Sequence, residues 1–144
     1  MGFSSTSYFI TSAYFPDYAI VADDSIKGAR LSLQPFQNNF SALFNIDFDR
    51  GLFALATSGN QLVIAANEAA DGSPLQLDLL PEPALPNQRW DVFSQPGNIV
   101  SLADRSLAFG FGMEKIFPPT LRLRKLHPGR PPMWILRPMT MPSA

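Results

Sequence analysis

The same four-beat phrase returns three times along the chain at a spacing of about 45 residues, and no other feature restricts the fold as tightly. The first phrase runs Tyr8-Phe9-Ile10-Thr11, Ala19-Ile20-Val21-Ala22, Leu31-Ser32-Leu33 and Ala42-Leu43-Phe44-Asn45. The second runs Leu52-Phe53-Ala54-Leu55, Leu62-Val63-Ile64-Ala65, Leu75-Gln76-Leu77 and Gln88-Arg89-Trp90-Asp91. The third runs Ile99-Val100-Ser101-Leu102, Leu107-Ala108-Phe109-Gly110, Leu121-Arg122-Leu123 and Pro132-Met133-Trp134-Ile135. Leu31 to Leu75 is 44 residues and Leu75 to Leu121 is 46, while Phe44 to Trp90 is 46 and Trp90 to Trp134 is 44. Four beats held in register over the whole chain mark an internal repeat.

Each beat is a short apolar or alternating run between turn formers, which is the pattern of a strand. Arg30-Leu31-Ser32-Leu33-Gln34 and Arg122-Leu123-Arg124 alternate with period two, so one face is buried and the other wet. Lys27-Gly28, Ser58-Gly59-Asn60, Asp71-Gly72-Ser73 and Pro96-Gly97-Asn98 supply turns between the runs. The 14 prolines oppose long helices, because each removes a donor and clashes inside one. Only Ala65 to Ala70 has mild helix character, ended by Asp71-Gly72. Four strands in each of three repeats predict a twelve-stranded, all-β chain of one domain, residues 1–144, with repeats at about 7–49, 50–95 and 96–139. One such unit has no partner for its apolar face, so the three must pool theirs. Phe44, Trp90 and Trp134, on equivalent beats, are expected in or near that shared core.

Asn87-Gln88-Arg89-Trp90, after the Leu75-Gln76-Leu77 strand and a proline-rich loop, resembles the Q-x-W motif of ricin-B-type β-trefoil lectins. The likeness covers the chain from about Tyr8 to Met139, with the motif intact in repeat 2 and replaced by Ala42-Leu43-Phe44 and Pro132-Met133-Trp134 in the others. It implies a β-trefoil: a six-stranded barrel capped by three hairpins, with pseudo-threefold symmetry. It also implies one shallow sugar pocket per repeat, built from an Asp on the second strand, an aromatic platform after the L-x-L strand, and an Asn beside the motif Gln. A carboxylate and an amide suit vicinal hydroxyls, and a ring stacks on a sugar's apolar face. Those three places hold Ile20, Gln34 and Ser41 in repeat 1, Val63, Asp78 and Asn87 in repeat 2, and Ala108, Arg124 and Pro131 in repeat 3. The full set is present nowhere, and repeat 2 comes nearest. A shifted polar pocket there would use Asn67, Asp71, Asp78, Asn87 and Gln88, set against the plainer reading that Asn87 and Gln88 only fix a turn. The Asn38-Asn39-Phe40 loop offers repeat 1 a second, weaker surface, and Tyr14, Phe15 and Tyr18 form either a stacking platform or hairpin packing.

Composition narrows the remaining classes. The net charge of −1 removes a general drive toward nucleic acid or anionic membrane. Arg122, Arg124, Lys125, His127, Arg130 and Arg137 nevertheless concentrate in one basic stretch, which reads as a basic hairpin surface. The chain has no cysteine, hence no disulfide, thiolate ligand or cysteine nucleophile. No signal peptide and no run of ~18–20 apolar residues is visible, so the expected location is the cytoplasm, or outside the cell by a route without such a signal. Met1-Gly2-Phe3-Ser4-Ser5-Thr6 fits the loose myristoylation pattern.

Catalytic chemistry finds few handles. The single histidine, His127, sits before Pro128-Gly129, where a turn residue is commoner than a triad base. Gly110-Phe111-Gly112 lacks the third glycine and strand-to-helix context of a nucleotide loop. The carboxylates of Asp23-Asp24 and of Asp47 and Asp49 read as solvated turn groups rather than an acid/base pair. No catalytic residue, cofactor or metal is expected. The sequence therefore points to a non-enzymatic binder of glycans or glycoproteins, with the oligomeric state open, a homodimer included. The alternative is a trefoil that binds a protein, such as a protease inhibitor acting through the proline-rich loops 79–86 and 117–119.

Overall fold

A computed structural model describes residues 3, 6–37, 39–80, 85–111, 119–126 and 131–139. Its strands are β1 (Ser7–Ser12), β2 (Tyr18–Ala22), β3 (Leu31–Pro35), β4 (Leu43–Asp47), β5 (Leu52–Leu55), β6 (Leu62–Ala66), β7 (Leu75–Leu79), β8 (Trp90–Asp91), β9 (Val100–Ser101), β10 (Leu107–Phe111), β11 (Leu121–Lys125) and β12 (Trp134–Pro138). All pairings are antiparallel: β1 joins β12, β2 and β4; β4–β5 and β8–β9 continue the wall; β2–β3, β6–β7 and β10–β11 are hairpins. The architecture is a β-trefoil, with β1, β4, β5, β8, β9 and β12 as the barrel. The two sheets are joined where Trp90 N–H donates to Gly51 O (2.8 Å) and Trp134 N–H to Gly97 O (2.9 Å).

The threefold relation is visible bond by bond. In the barrel Phe44 lies opposite Leu55, Trp90 opposite Ser101 and Trp134 opposite Ser12. In the hairpin cap Leu33 N–H donates to Pro119 O, Leu77 N–H to Ala29 O and Leu123 N–H to Ser73 O, at 2.9, 2.8 and 2.8 Å. Both Trp indoles donate across to the second strand of their own repeat, Trp90 Nε1 to Ile64 O (3.0 Å) and Trp134 Nε1 to Phe109 O (3.5 Å). Phe44, Trp90 and Trp134 are all buried in one core with Ile20, Ile64 and Phe109. Each repeat thus contributes one large ring to the shared core, and burial of such rings dominates the packing energy.

Gly51 explains a local demand of closure. Its φ is +76°, and a Cβ there would stand 2.2 Å from Trp90 O, so only glycine lets the β5 entry approach the β8 backbone. The mild helix character of 65–70 is not realised: Leu62–Ala66 is strand β6, and residues 67–72 are the bends and turn of the β6–β7 hairpin. The alanines there pack as small strand and turn residues, because tertiary pairing to β7 overrides propensity. Among the described residues no helix is long and apolar enough to cross a membrane.

Candidate functional site

The proline-rich approach to β8 ends in a 3₁₀ turn, Pro86–Gln88, and this turn presents Asn87. Gln88 is buried, and its amide is committed at both ends: Nε2 donates to Leu79 O (2.9 Å) and Oε1 accepts from Leu85 N–H (3.1 Å). It therefore holds the turn, and its burial keeps the rest of the amide from a ligand, so the structure places it as a support rather than a contact residue. Asn87 is half-buried, and its Nδ2 donates to Ala66 O (2.8 Å), fixing it beside exposed Asn67. Its Oδ1 has no partner among the described residues. Asn87 is thus held at the end of β6, where Ala66 is next in the chain to Asn67.

Asp71 and Asp78 are drawn elsewhere. Asp71 is exposed on the hairpin turn and meets Arg124 Nε at 3.4 Å. Asp78 is half-buried on β7, opposite Val63, and lies 4.0 Å from Lys27 Nζ. From Leu75 to Asp78 the strand rises about 10 Å, so the four polar groups do not converge on one point. The two ion pairs are threefold mates with the charges exchanged. Lys27 and Asp71 hold the same place on successive hairpin turns, and Asp78 and Arg124 the same place on successive third strands, facing Val63 and Ala108. Each ties one hairpin to the next.

The register also corrects repeat 1. Gln34 lies opposite Ala19, whereas Ile20 faces Leu33 and is buried, so the counterpart of Val63 is Ala19. Ala19, Val63 and Ala108 are all buried and apolar, and none supplies a carboxylate. In its place repeat 1 carries a relay from Gln34 Nε2 to Ser32 Oγ (2.7 Å) and from Ser32 Oγ to Asp23 Oδ1 (3.2 Å). Asn39 is not free for a ligand in the way its loop suggested, since its Oδ1 caps the turn by accepting from Ser41 N–H (3.0 Å). Phe15 and Tyr18 meet edge to face at 6.4 Å and, with Leu33 and Pro119, line an apolar hollow of about 270 Å³. Arg122 donates to Gly72 O and Arg124 meets Asp71, so much of the basic stretch is engaged between hairpins.

Asp47 is not a solvated turn group. It is buried at the end of β4, accepting from the N–H groups of Asp49 and Arg50 (both 3.1 Å) and from Arg50 Nε (2.7 Å). Burial pushes its pKa up, but the Arg50 side chain and these N–H groups outweigh that and hold it below the usual value. Asp91, at the end of β8, repeats the device. Burial again opposes ionisation, yet Phe93 N–H, Ser94 and Arg105 bring its pKa to about 2. Among the described residues no group of three or more His, Cys, Asp or Glu stands ready to hold a metal. The myristoylation pattern (Met1, Gly2, Ser4, Ser5), Asn38, Gly112, the loop cores 81–84 and 117–118, and His127 with Arg130 lie outside the described residues.

Comparison with family models and with curated protein sequences gives no match. Solved structures do match. A mosquitocidal holotoxin superposes with a TM-score of 0.77 at 12% identity over 97% of this chain, which spans 18% of that toxin's length. The C-terminal domain of an earthworm lectin, a mutant solved with 6′-sialyllactose, gives 0.69 at 16% identity, covering 93% of this chain and 99% of that one. The β-trefoil lectin of the Vibrio vulnificus hemolysin/cytolysin, solved with N-acetyl-D-lactosamine, gives 0.70 at 8% identity over 97% and 100%. At such identities the likeness establishes the β-trefoil fold. None of these three is described as a protease inhibitor.

Proposed function

We propose that the chain is a carbohydrate-binding trefoil that acts without catalysis, with its principal sugar site on repeat 2 at Asn87 and Asn67. One observation carries this reading: the Asn87 amide is anchored through a single N–H to Ala66 O, leaving its Oδ1 and second N–H for a ligand's hydroxyls. Gln88 is the positioning residue beneath it, while Asp71 and Asp78 are engaged away from it by Arg124 and Lys27. The fold likeness to two lectin domains solved with sugars supports the class of ligand. A shallow site with one amide pair and no aromatic platform should bind weakly, at millimolar to micromolar Kd, or about −4 to −8 kcal/mol. Useful avidity then comes from several sites or several copies.

The test is a glycan array followed by calorimetry on the purified chain and on Asn87→Ala. Binding of a defined glycan that the variant loses is the expected result. Binding that survives moves the site to another repeat, and silence from a cooperatively folded chain removes the lectin reading.

A further inference from the structure

A second cavity lies at the barrel end, away from Asn87. It has a volume of about 230 Å³ and is lined by Phe48, Phe93, Asn98, Ile99, Trp134 and their apolar neighbours. Its lining side chains are hydrophobic but for Asn98, which is 3% exposed. The Nδ2 of Asn98 makes one long bond to Pro131 O (3.5 Å), and its buried Oδ1 has no hydrogen-bond partner among the described residues. Phe93 stands 67% exposed at the rim, with its ring 6.0 Å from that of Phe48.

The symmetry makes this amide anomalous. Ser101, Leu55 and Ser12 are threefold mates because they face Trp90, Phe44 and Trp134. Three residues before them stand Asn98, Leu52 and Phe9. The other two repeats use apolar side chains at this place, and Leu52 is wholly buried. An unpaired buried carbonyl costs about 1–3 kcal/mol. Folding alone gains nothing from it that leucine would not supply.

We infer that this cavity receives the acetamido group of an N-acetylhexosamine, an inference that rests on the carbohydrate-binding reading. The methyl fills the apolar floor against Phe48 and Ile99. The amide N–H donates to Asn98 Oδ1, and the C–H face of the ring lies on Phe93. A hydroxyl would satisfy the acceptor but leave the apolar walls unfilled. The cavity is smaller than the roughly 300–1,000 Å³ that encloses a whole drug-sized ligand, so it suits one substituent rather than a full sugar.

The experiment follows the backbone amide resonances and the two indole N–H resonances, of Trp134, whose ring lines this cavity, and of Trp90, whose ring does not. The chain is titrated with methyl N-acetyl-β-D-glucosaminide and its galacto epimer, with methyl β-D-glucoside as control. The expected result is a shift at Trp134 with both acetamido sugars and none with the glucoside. Asn98→Leu should weaken that titration by roughly tenfold or more while raising Tm, and the rim variant Phe93→Ala should weaken it without touching the buried amide. A titration unchanged in Asn98→Leu, or a lowered Tm, overturns the inference. So does a Trp134 shift produced by N-acetylglycine methylamide but not by the sugars, which would assign the cavity to a peptide. Shifts confined to the surroundings of Asn87 overturn this inference alone. No shift anywhere, with any sugar, removes the carbohydrate reading as well.

Discussion

Gln88 shows how a motif residue can matter without touching a ligand. Both ends of its amide bond the backbone, so truncation leaves Leu79 O and Leu85 N–H unpaired next to the core. Gln88→Ala should lower unfolding free energy by about 1–3 kcal/mol in urea denaturation, with the slope unchanged. It should also weaken sugar binding, because Asn87 loses its support. Acid stability is set at the same scale by Asp91 and Asp47. The folded pKa of Asp91, about 2, lies below the ~3.9 of an unfolded aspartate. Its stabilisation is therefore complete above about pH 4 and disappears as pH falls through about 2, and Asp47 contributes in the same direction. Urea midpoints measured from pH 5 to pH 2 should fall, and Asp91→Asn should flatten that limb while lowering the plateau by at most about 2 kcal/mol. An acid limb identical in wild type and Asp91→Asn would refute the assignment.

Among the elements, the hairpins carry the charge-exchanged pairs Lys27–Asp78 and Asp71–Arg124. These are exposed contacts between flexible side chains, so Lys27→Ala and Asp71→Ala should each cost no more than about 1 kcal/mol, less in high salt. A substitution in the barrel such as Phe44→Ala, by contrast, should cost about 3–5 kcal/mol, because it opens a cavity where the three repeats meet. Comparing the two classes by denaturation tests whether packing or charge holds the cap. The pairs also mark the limit of what could be read from residues in order. Asp71 and Asp78 look like pocket groups in sequence, but their partners sit on other repeats and are invisible until the hairpins are placed side by side. The Ile20 assignment failed for a related reason: a one-residue shift in a strand reverses which face a side chain takes, and an all-apolar run such as Ala19-Ile20-Val21-Ala22 carries no alternation to fix it. Asn87 and Gln88 could be found because a turn residue and its support lie adjacent in the chain. Asn98 was hidden by the same kind of one-residue shift: the repeats aligned in sequence set Ile99 against Leu52, and only the register of Ser101, Leu55 and Ser12 brings Asn98 to the place of Leu52 and Phe9.

For the molecule as a whole, the fold was legible because its constraint is global. Leu31, Leu75 and Leu121, with Phe44, Trp90 and Trp134, keep their spacing only if three equivalent units share one axis. That sharing has a measurable consequence. The repeats are laced by three equivalent bonds, from the N–H groups of Leu33, Leu77 and Leu123 to the carbonyls of Pro119, Ala29 and Ser73. None of the three donors lies in the same repeat as its acceptor, so none can open by fraying one unit. Closure of the barrel through β1 and β12, at opposite ends of the chain, adds the same condition to the wall. If the repeats are one cooperative structure, native-state hydrogen exchange at Leu33, Leu77 and Leu123 should report a single opening free energy. That value should equal the global unfolding free energy from denaturant. Loop amides such as Phe93 and Ser106, bonded only to nearby aspartates, should exchange at far lower cost. Unequal values at the three leucines would mean that one repeat opens ahead of the others, and the symmetry would then describe the geometry without describing the cooperativity.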